Sequence, residues 1–300
     1  METYFMKQPV HIALASYGMS GMVFHGPFLK VHPGFRVVKI LERTRNDSGR
    51  LFPGSEIVRS YDAVLQDPLI EMVIVNTPDR FHFEMARQAL EAGKHVVVEK
   101  PFTFTSAEAD QLISLAEERQ LLLTVYQNRR WDGDFLTVQQ VMASGVLGQL
   151  VEYESHFDRF RTVAHNTWKE EEGDYAGVLY NLGSHLVDQA LVLFGQPEAV
   201  TAHLRYVRPG SRIIDYFDIR LHYPSFAAIL KCSYLVKEEG PRYQLHGTAG
   251  SFLKWGIDPQ EEVLKTGALP VGDDWGKEPE SGWGLLNALS NHPDPVVRIP

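Results

Sequence analysis

The run Val96-Val97-Val98 constrains the fold of this chain more than any other stretch. Three β-branched residues without a polar side chain between them read as a strand buried on both faces. Gly93 turns the chain into that strand, and Glu99, Lys100 and Pro101 follow it directly. Ligands of an open parallel sheet bind at the carboxyl ends of its strands, so Lys100 is placed to meet a substrate. Pro101 fixes one backbone angle and biases Lys100 towards an extended conformation. The plain alternative is a solvated lysine in a strand-to-helix loop.

The surrounding chain repeats the pattern. Val10 to Ala15 is a short apolar strand, followed at once by Ser16-Tyr17-Gly18-Met19-Ser20-Gly21. That is the dinucleotide-binding fingerprint with serine in place of its first glycine. Gly18 lets the backbone approach a pyrophosphate, Gly21 lets the helix pack closely on the strand, and the N–H groups around Met19 and Ser20 face the anion. A second strand is expected over Phe35 to Leu41. Glu42 ends it at the spacing where a carboxylate meets ribose hydroxyls, but Arg43, Thr44 and Arg45 follow and suit a 2′-phosphate. The carboxylate favours NAD and the arginines NADP, with a slight lean to NADP; a polar turn is the alternative. Met72 to Val75 is a third strand, and Asn76, Thr77 and Pro78 at its end are expected to face the cofactor. His82 lies just beyond, as a cofactor contact, a cap or a surface residue. Phe83, Ala86 and Leu90 mark one helix, and Ala109, Leu112, Ile113 and Ala116 another. A strand over Leu121 to Val125 completes a doubly wound domain, residues 1–127.

From residue 128 the pattern changes. Asn128-Arg129-Arg130-Trp131-Asp132 breaks the alternation, and Phe135, Val138, Val141 and Met142 start an amphipathic helix. Val151, Tyr153, Ser155 and Phe157 alternate with Glu152, Glu154, His156 and Asp158, a period of two with one packed face. Similar runs at Phe217–Tyr223, Ala227–Tyr234 and Tyr243–Leu253 predict a largely antiparallel sheet in an α+β domain, residues 128–300. The Gly-, Pro- and Trp-rich closing stretch has no expected regular element. Asp158, Arg159 and Arg161 at a strand's end suit hydroxyls or an anionic substrate, or form surface ion pairs. Asn181, His185 and Asp188 fall at i, i+4 and i+7 and share a helix face, with Leu182, Leu186, Ala190 and Leu193 on the apolar one. Gly183 beside them costs about 1 kcal/mol relative to alanine and permits close approach of a backbone or ligand. A lone helical histidine is more often structural; His185 gains a role if its face looks into the cleft towards Lys100.

The remaining signals exclude classes. A net charge of −9 argues against a nucleic-acid or anionic-membrane partner. The single cysteine, Cys232, excludes an internal disulfide framework and fits a reducing, cytoplasmic compartment. Met1 to Gln8 holds no apolar core of signal-peptide length, and no apolar run is long enough to span a bilayer. No metal-site spacing, nucleophile elbow or P-loop lysine motif is present.

With these residues in view, the chain resembles the glucose–fructose oxidoreductase / inositol dehydrogenase family over essentially its whole length. The resemblance rests on Gly18-x-x-Gly21, Asn76-Thr77-Pro78, Gly93 through Pro101, and Asn181 with His185. The stretches 128–132, 156–159 and 183–189 look like the subgroup containing NADP-dependent scyllo-inositol dehydrogenase. The resemblance implies a Rossmann domain plus a domain with an open sheet often used for homo-oligomer contacts. It also implies NAD(P)-linked chemistry on cyclic polyols or sugars, an essential Lys100 and a His185 acid/base. In that frame Glu99 is a cofactor or lysine contact, and Arg130, Trp131, Asp158, Arg159, Arg161, Asn181 and Asp188 are substrate candidates. The chain departs from the pattern in Ser16, in Asn181 where an aspartate is common, and in an early end that suggests a missing C-terminal segment. A cofactor-recycling glycosidase or epimerase, and a non-catalytic dinucleotide sensor, are the alternatives.

Overall fold

The structure is a computed structural model that describes residues 8–163, 176–289 and 296–299. Of the amino-terminal stretch read above, residues 1–7 lie outside the described residues. The chain forms two compact units: one reaching to Tyr126 and including Gln260–Trp275, the other spanning Gln127–Pro259 and continuing from Gly276.

The first unit holds six strands: β1 (Val10–Leu14), β2 (Phe35–Leu41), β3 (Glu56–Val58), β4 (Met72–Val75), β5 (His95–Glu99) and β6 (Leu123–Tyr126). Their spatial order is β3-β2-β1-β4-β5-β6, and every pairing is parallel. This is the doubly wound arrangement, in which the order reverses between β1 and β4. Period-two alternation divides each strand between two cores. Ala13, Val73, Val75, Val96 and Val98 pack with Val64, Ala86, Leu90, Leu112 and Ala116. Ile12, Leu14 and Ile74 turn to the opposite face with Tyr17, Ile40 and Phe52. Full burial of each valine or isoleucine contributes about 1.5–3 kcal/mol.

The helices of this unit are α1 (Gly26–Val31), α2 (Asp62–Leu65), α3 (His82–Glu91), α4 (Ser106–Arg119) and, from the later segment, α7 (Gln260–Lys265). Gly93 makes the turn into β5 with φ 76°, a left-handed angle that glycine adopts without a steric cost. Ile113 is 44% exposed, so α4 buries Leu112 and Ala116 but not the third apolar residue assigned to it.

The second unit contains α5 (Gly133–Ser144), β7 (Leu150–His156), α6 (Ser184–Phe194), β8 (Ala199–Arg205), β9 (Tyr216–His222), β10 (Ala227–Ser233), β11 (Tyr243–Gly247), β12 (Gly250–Lys254), β13 (Gly284–Ala288) and β14 (Val296–Ile299). The sheet order is β14-β13-β12-β11-β7-β10-β9-β8. The β7–β10 pairing is parallel and the others are antiparallel. Phe135, Val138, Tyr153, Phe157, Leu186, Ala190, Phe217, Tyr243 and Phe252 build its core.

Three sequence expectations need correction here. Val151 does not join the packed face. The register against β11 shifts at His246/Gly247, pairing His246 with Glu152 and Gly247 with Leu150, so Val151 bulges out at 55% exposure and Leu150 is buried instead. Tyr243–Leu253 is two strands joined at Thr248-Ala249, not one continuous run. The closing stretch is not irregular: it supplies α7, β13 and β14.

Candidate functional site

In the first unit, β1 leads into a π-helical turn at Ser20–His25. The Gly26 N–H donates five residues back to the Gly21 carbonyl, and the Met22 N–H to the Gly18 carbonyl. Gly18 and Met19 are exposed, and among the described residues a Cβ on Gly18 would meet no atom within 4 Å. A Cβ on Gly21 would stand 3.0 Å from both Asn76 Nδ2 and the Ser16 carbonyl oxygen. An open glycine followed by a packed one is the arrangement a pyrophosphate-binding turn requires. The residues present therefore fit a dinucleotide.

Ser16 has a definite role. Its N–H donates to Asn76 Oδ1 at 2.9 Å, its hydroxyl donates to the Asn76 carbonyl at 2.7 Å, and its own carbonyl accepts from Asn76 Nδ2 at 2.9 Å. These three bonds tie the ends of β1 and β4 together. Asn76 is 4% exposed, and its amide is spent on the chain rather than turned out to a ligand. His82 is neither a cap nor a surface group: it is buried, with Nδ1 2.7 Å from the Pro101 carbonyl and Nε2 2.9 Å from that of Thr77. It holds the loops after β4 and β5 side by side, and Thr77 and Pro78 are half-buried in the first of them.

Glu42 is similarly engaged. Its carboxylate accepts from the Asp47 N–H at 2.9 Å, from the Ser48 N–H at 3.0 Å and from the Ser48 hydroxyl. Burial acts to raise its pKa, but those bonds and the charge of Arg59 hold it below the ordinary carboxylate value. Arg43 and Thr44 are exposed beside it. Arg59 donates to the carbonyls of Glu42 and Arg45 and to the Asn46 side chain, which adds a guanidinium to the same turn.

At the carboxyl end of β5, Glu99 is buried and Lys100 half-buried. Glu99 Oε1 accepts from the Ser20 hydroxyl and lies 2.9 Å from His25 Nε2, while Oε2 accepts from the Lys100 N–H at 3.1 Å. Burial opposes ionisation of Glu99, yet His25, Ser20 and the Lys100 charge keep its pKa below the usual value. The His25 ring lies 4.1 Å from that of Tyr126, whose hydroxyl donates to the Phe24 carbonyl. The glycine turn and the strand end bearing Lys100 are thus one hydrogen-bonded assembly. Sequence reasoning missed His25 and Tyr126; the only signal was His25 standing one π-helical turn after Ser20.

In the second unit, Asn181 lies in a π-helical turn, Leu179–Gly183, that runs into α6. His185 is 4% exposed, and its ring is 6.4 Å from Phe157. A Cβ on Gly183 would meet Leu179 at 3.2 Å and Phe217 at 3.3 Å, so this glycine admits an apolar neighbour and not a ligand. Asp188 accepts two hydrogen bonds from Arg130, at 2.8 and 2.6 Å, and the pair raises the Arg130 pKa. Trp131 is 73% exposed. Gln189, absent from the sequence candidates, joins the Arg129 carbonyl and the Tyr243 hydroxyl, each at 2.9 Å.

The strand end after β7 concentrates charge. Asp158 accepts from the Ser233 N–H and contacts His156 Nδ1, both at 2.9 Å, and Glu154 contacts His156 Nε2 at 2.8 Å. The guanidiniums of Arg242, Arg159 and Arg129 lie 4.1, 4.6 and 5.1 Å from the Phe157 ring centroid. Among the described residues there is no cluster of three or more potential metal ligands, and no helix is long and apolar enough to cross a membrane.

Comparison with known proteins gives a consistent result. Residues 10–127 match the family model described as oxidoreductase family, NAD-binding Rossmann fold, and residues 135–253 match the Gfo/Idh/MocA C-terminal domain. The chain is 41% identical to scyllo-inositol 2-dehydrogenase (NADP(+)) IolW of Bacillus subtilis, over 97% of this chain and 81% of that protein. Among solved structures, an oxidoreductase from Bacteroides fragilis superposes with a TM-score of 0.90 at 47% identity, covering 97% of this chain and 84% of that one. The oxidoreductase YvaA of Bacillus subtilis superposes with a TM-score of 0.93 at 40% identity, covering 97% and 83%.

Proposed function

The chain belongs to the Gfo/Idh/MocA oxidoreductase family, and from that premise we propose that it exchanges a hydride between NADP(H) and a ring hydroxyl or keto carbon of a cyclic polyol or sugar. The observation that carries the reading is Lys100 at the carboxyl end of β5, joined through Glu99 to the open glycine turn. The relative named as an inositol dehydrogenase supports the substrate class.

Gly18, Met19 and Ser20 hold the dinucleotide phosphates through backbone N–H groups, with Ser16, Asn76, Thr77, Pro78 and His82 fixing the loops around them. The nicotinamide, when bound, supplies the hydride acceptor or donor. Lys100 donates a hydrogen bond to the reacting oxygen and stabilises its developing negative charge. His185 takes the proton of that hydroxyl in oxidation and returns it in reduction. Asn181 orients the substrate, since an amide exchanges no proton at neutral pH. NADP is favoured over NAD because the Glu42 carboxylate is committed to Asp47 and Ser48 while Arg43 is exposed at the same turn. A free 2′-hydroxyl would want that carboxylate; a 2′-phosphate wants the cations.

The test is a turnover scan with inositols, hexoses and their keto forms, after titration with NADPH and NADH in parallel. Lys100→Met and His185→Ala are each expected to lower kcat by at least about 100-fold, the scale of a lost acid/base or oxyanion contact, while still binding NADPH. Near wild-type turnover by either variant would remove that residue from the chemistry. Net accumulation of reduced cofactor separates a dehydrogenase from a glycosidase or epimerase that recycles it.

A further inference from the structure

The arginines stacked on Phe157 and Tyr234 are unequally compensated. Arg129 pairs with Asp132 at 2.9 Å, Arg242 with Asp134 at 3.7 Å and Arg208 with Asp215 at 2.9 Å. Arg159 and Arg161 have no carboxylate within ion-pair distance among the described residues. Among the described residues the Arg159 guanidinium donates one hydrogen bond, to the carbonyl of its neighbour Asp158. The backbone N–H groups of Phe157, Arg159 and Arg161 bond in turn to the carbonyls of Lys231, Ser233 and Tyr234. In that extended segment alternate residues share one face. Phe157 and the two arginines therefore line one side, with Arg159 over Phe157 at 4.6 Å and Arg161 over Tyr234 at 5.4 Å. The Phe157 ring also faces His185, 6.4 Å away.

A guanidinium stacked on an aromatic ring and half-withdrawn from water is preorganised for a planar anion. Burial lowers the Arg159 pKa, the more distant charge of Glu239 opposes this, and Arg242 and Arg129 lower it further. Burial raises the pKa of the carboxyls at Asp132 and Asp134, while the Arg129 and Arg242 charges act against it. Among the described residues Arg242 Nε and Nη2 are buried without a hydrogen-bond partner, so the nest holds more donors than those acceptors use.

We propose that Arg159, supported by Arg161, forms an anion subsite beside His185, and that the substrate is a cyclic polyol or sugar carrying a carboxylate or a phosphate ester. This rests on the hydride-transfer reading above and adds to it the charge of the substrate. The planar bidentate fork of a guanidinium suits a carboxylate and also the oxygens of a phosphate, so both sources enter the test.

The experiment compares kcat/KM for matched sets: D-glucose, D-glucuronate and D-glucose 6-phosphate, then myo-inositol and myo-inositol 1-phosphate. The wild-type protein is expected to favour one charged member over its neutral counterpart by at least about 10-fold, with the preference falling as KCl is raised. Arg159→Gln is expected to cut that charged-to-neutral ratio by about 10–100-fold, mainly through KM, the worth of a lost charge-assisted contact. Arg159→Lys, which keeps the charge but not the fork, is expected to retain part of it. Thermal unfolding of each variant reports whether it folds. A ratio of one or below in the wild type, or a ratio unchanged in Arg159→Gln, overturns the proposal. If no member of any set changes the nicotinamide redox state, it is the hydride-transfer reading that fails. Calorimetric titration of the NADPH-loaded protein with glucuronate and glucose 6-phosphate then decides the subsite: binding weakened by Arg159→Gln supports it, and absence of binding overturns it.

Discussion

Two glycines three residues apart have opposite relations to their surroundings, and that difference can be measured. Around Gly18 there is room for a methyl group, whereas around Gly21 the Asn76 amide and the Ser16 carbonyl stand at 3.0 Å. Gly18→Ala is expected to leave the unfolding midpoint unchanged and to weaken NADPH binding. Gly21→Ala is expected to lower both, because the Ser16–Asn76 clasp must shift to admit it; equal midpoints for the two variants would contradict the packing described. His156 is a second residue whose surroundings set a measurable property. Burial would lower its pKa, but the hydrogen bonds and charges of Asp158 and Glu154 outweigh that and raise it above 6.5. A raised folded-state pKa gives stability that is full below the unfolded value and fades as pH rises through the folded one. Thermal unfolding of wild type and His156→Gln between pH 5.5 and 8.5 should therefore show the wild-type advantage greatest at the acid end and shrinking upward. An advantage that grew with pH would show that the two carboxylates do not stabilise an imidazolium there.

At the scale of elements, α4 begins with a reciprocal cap. Thr105 Oγ1 accepts from the Glu108 N–H and Glu108 Oε2 accepts from the Thr105 N–H, each at 3.2 Å. Thr105→Ala is expected to cost about 1 kcal/mol in urea unfolding, and no measurable loss would mean water replaces the cap. In the first unit β1, β2, β4, β5 and β6 were legible as largely apolar runs with strong β propensity between turn signals, whereas the three-residue β3 was too short to show a pattern. Strand β8 was not, since all seven of its residues are exposed and no packed face imposes an alternation. Strand β13 was hidden by brevity and by Gly284 and Asn287, which are poor strand formers. Lys100 and His185 could each be singled out as candidates from an element end and from helix spacing. What escaped were partners distant in the chain: His25 and Glu99 are separated by 74 positions, and no local pattern encodes that contact. Glu42 shows the converse. Its distance from the glycine turn pointed to a ribose, but its partners sit five and six residues onward at Asp47 and Ser48.

At the scale of the whole molecule, neither unit is one continuous piece of chain. The backbone leaves the second unit after Pro259, contributes α7 to the first, and returns at Gly276. Near that return, Lys254 is fully buried at the end of β12, with Glu278 at 2.8 Å and the carbonyls of Trp255 and Gly282 completing its bonds. Lys254→Met would leave the Glu278 carboxylate without its counter-charge, and removal of one partner from a buried pair costs about 3–5 kcal/mol. The expected result is a lowered midpoint for the second unit, and Glu278→Gln in the same background should recover part of it. Failure of the second change to help would place the loss elsewhere than in the pair. The interleaving also bears on the order of manufacture. All six strands of the first sheet have been synthesised by Tyr126, but α7, which lies against the Ser20–His25 turn, follows only about 7–27 s later at elongation rates of roughly 5–20 residues per second. During that interval the nascent first unit carries its glycine turn without the helix that packs on it, so the part of the site built earliest is the last to be finished.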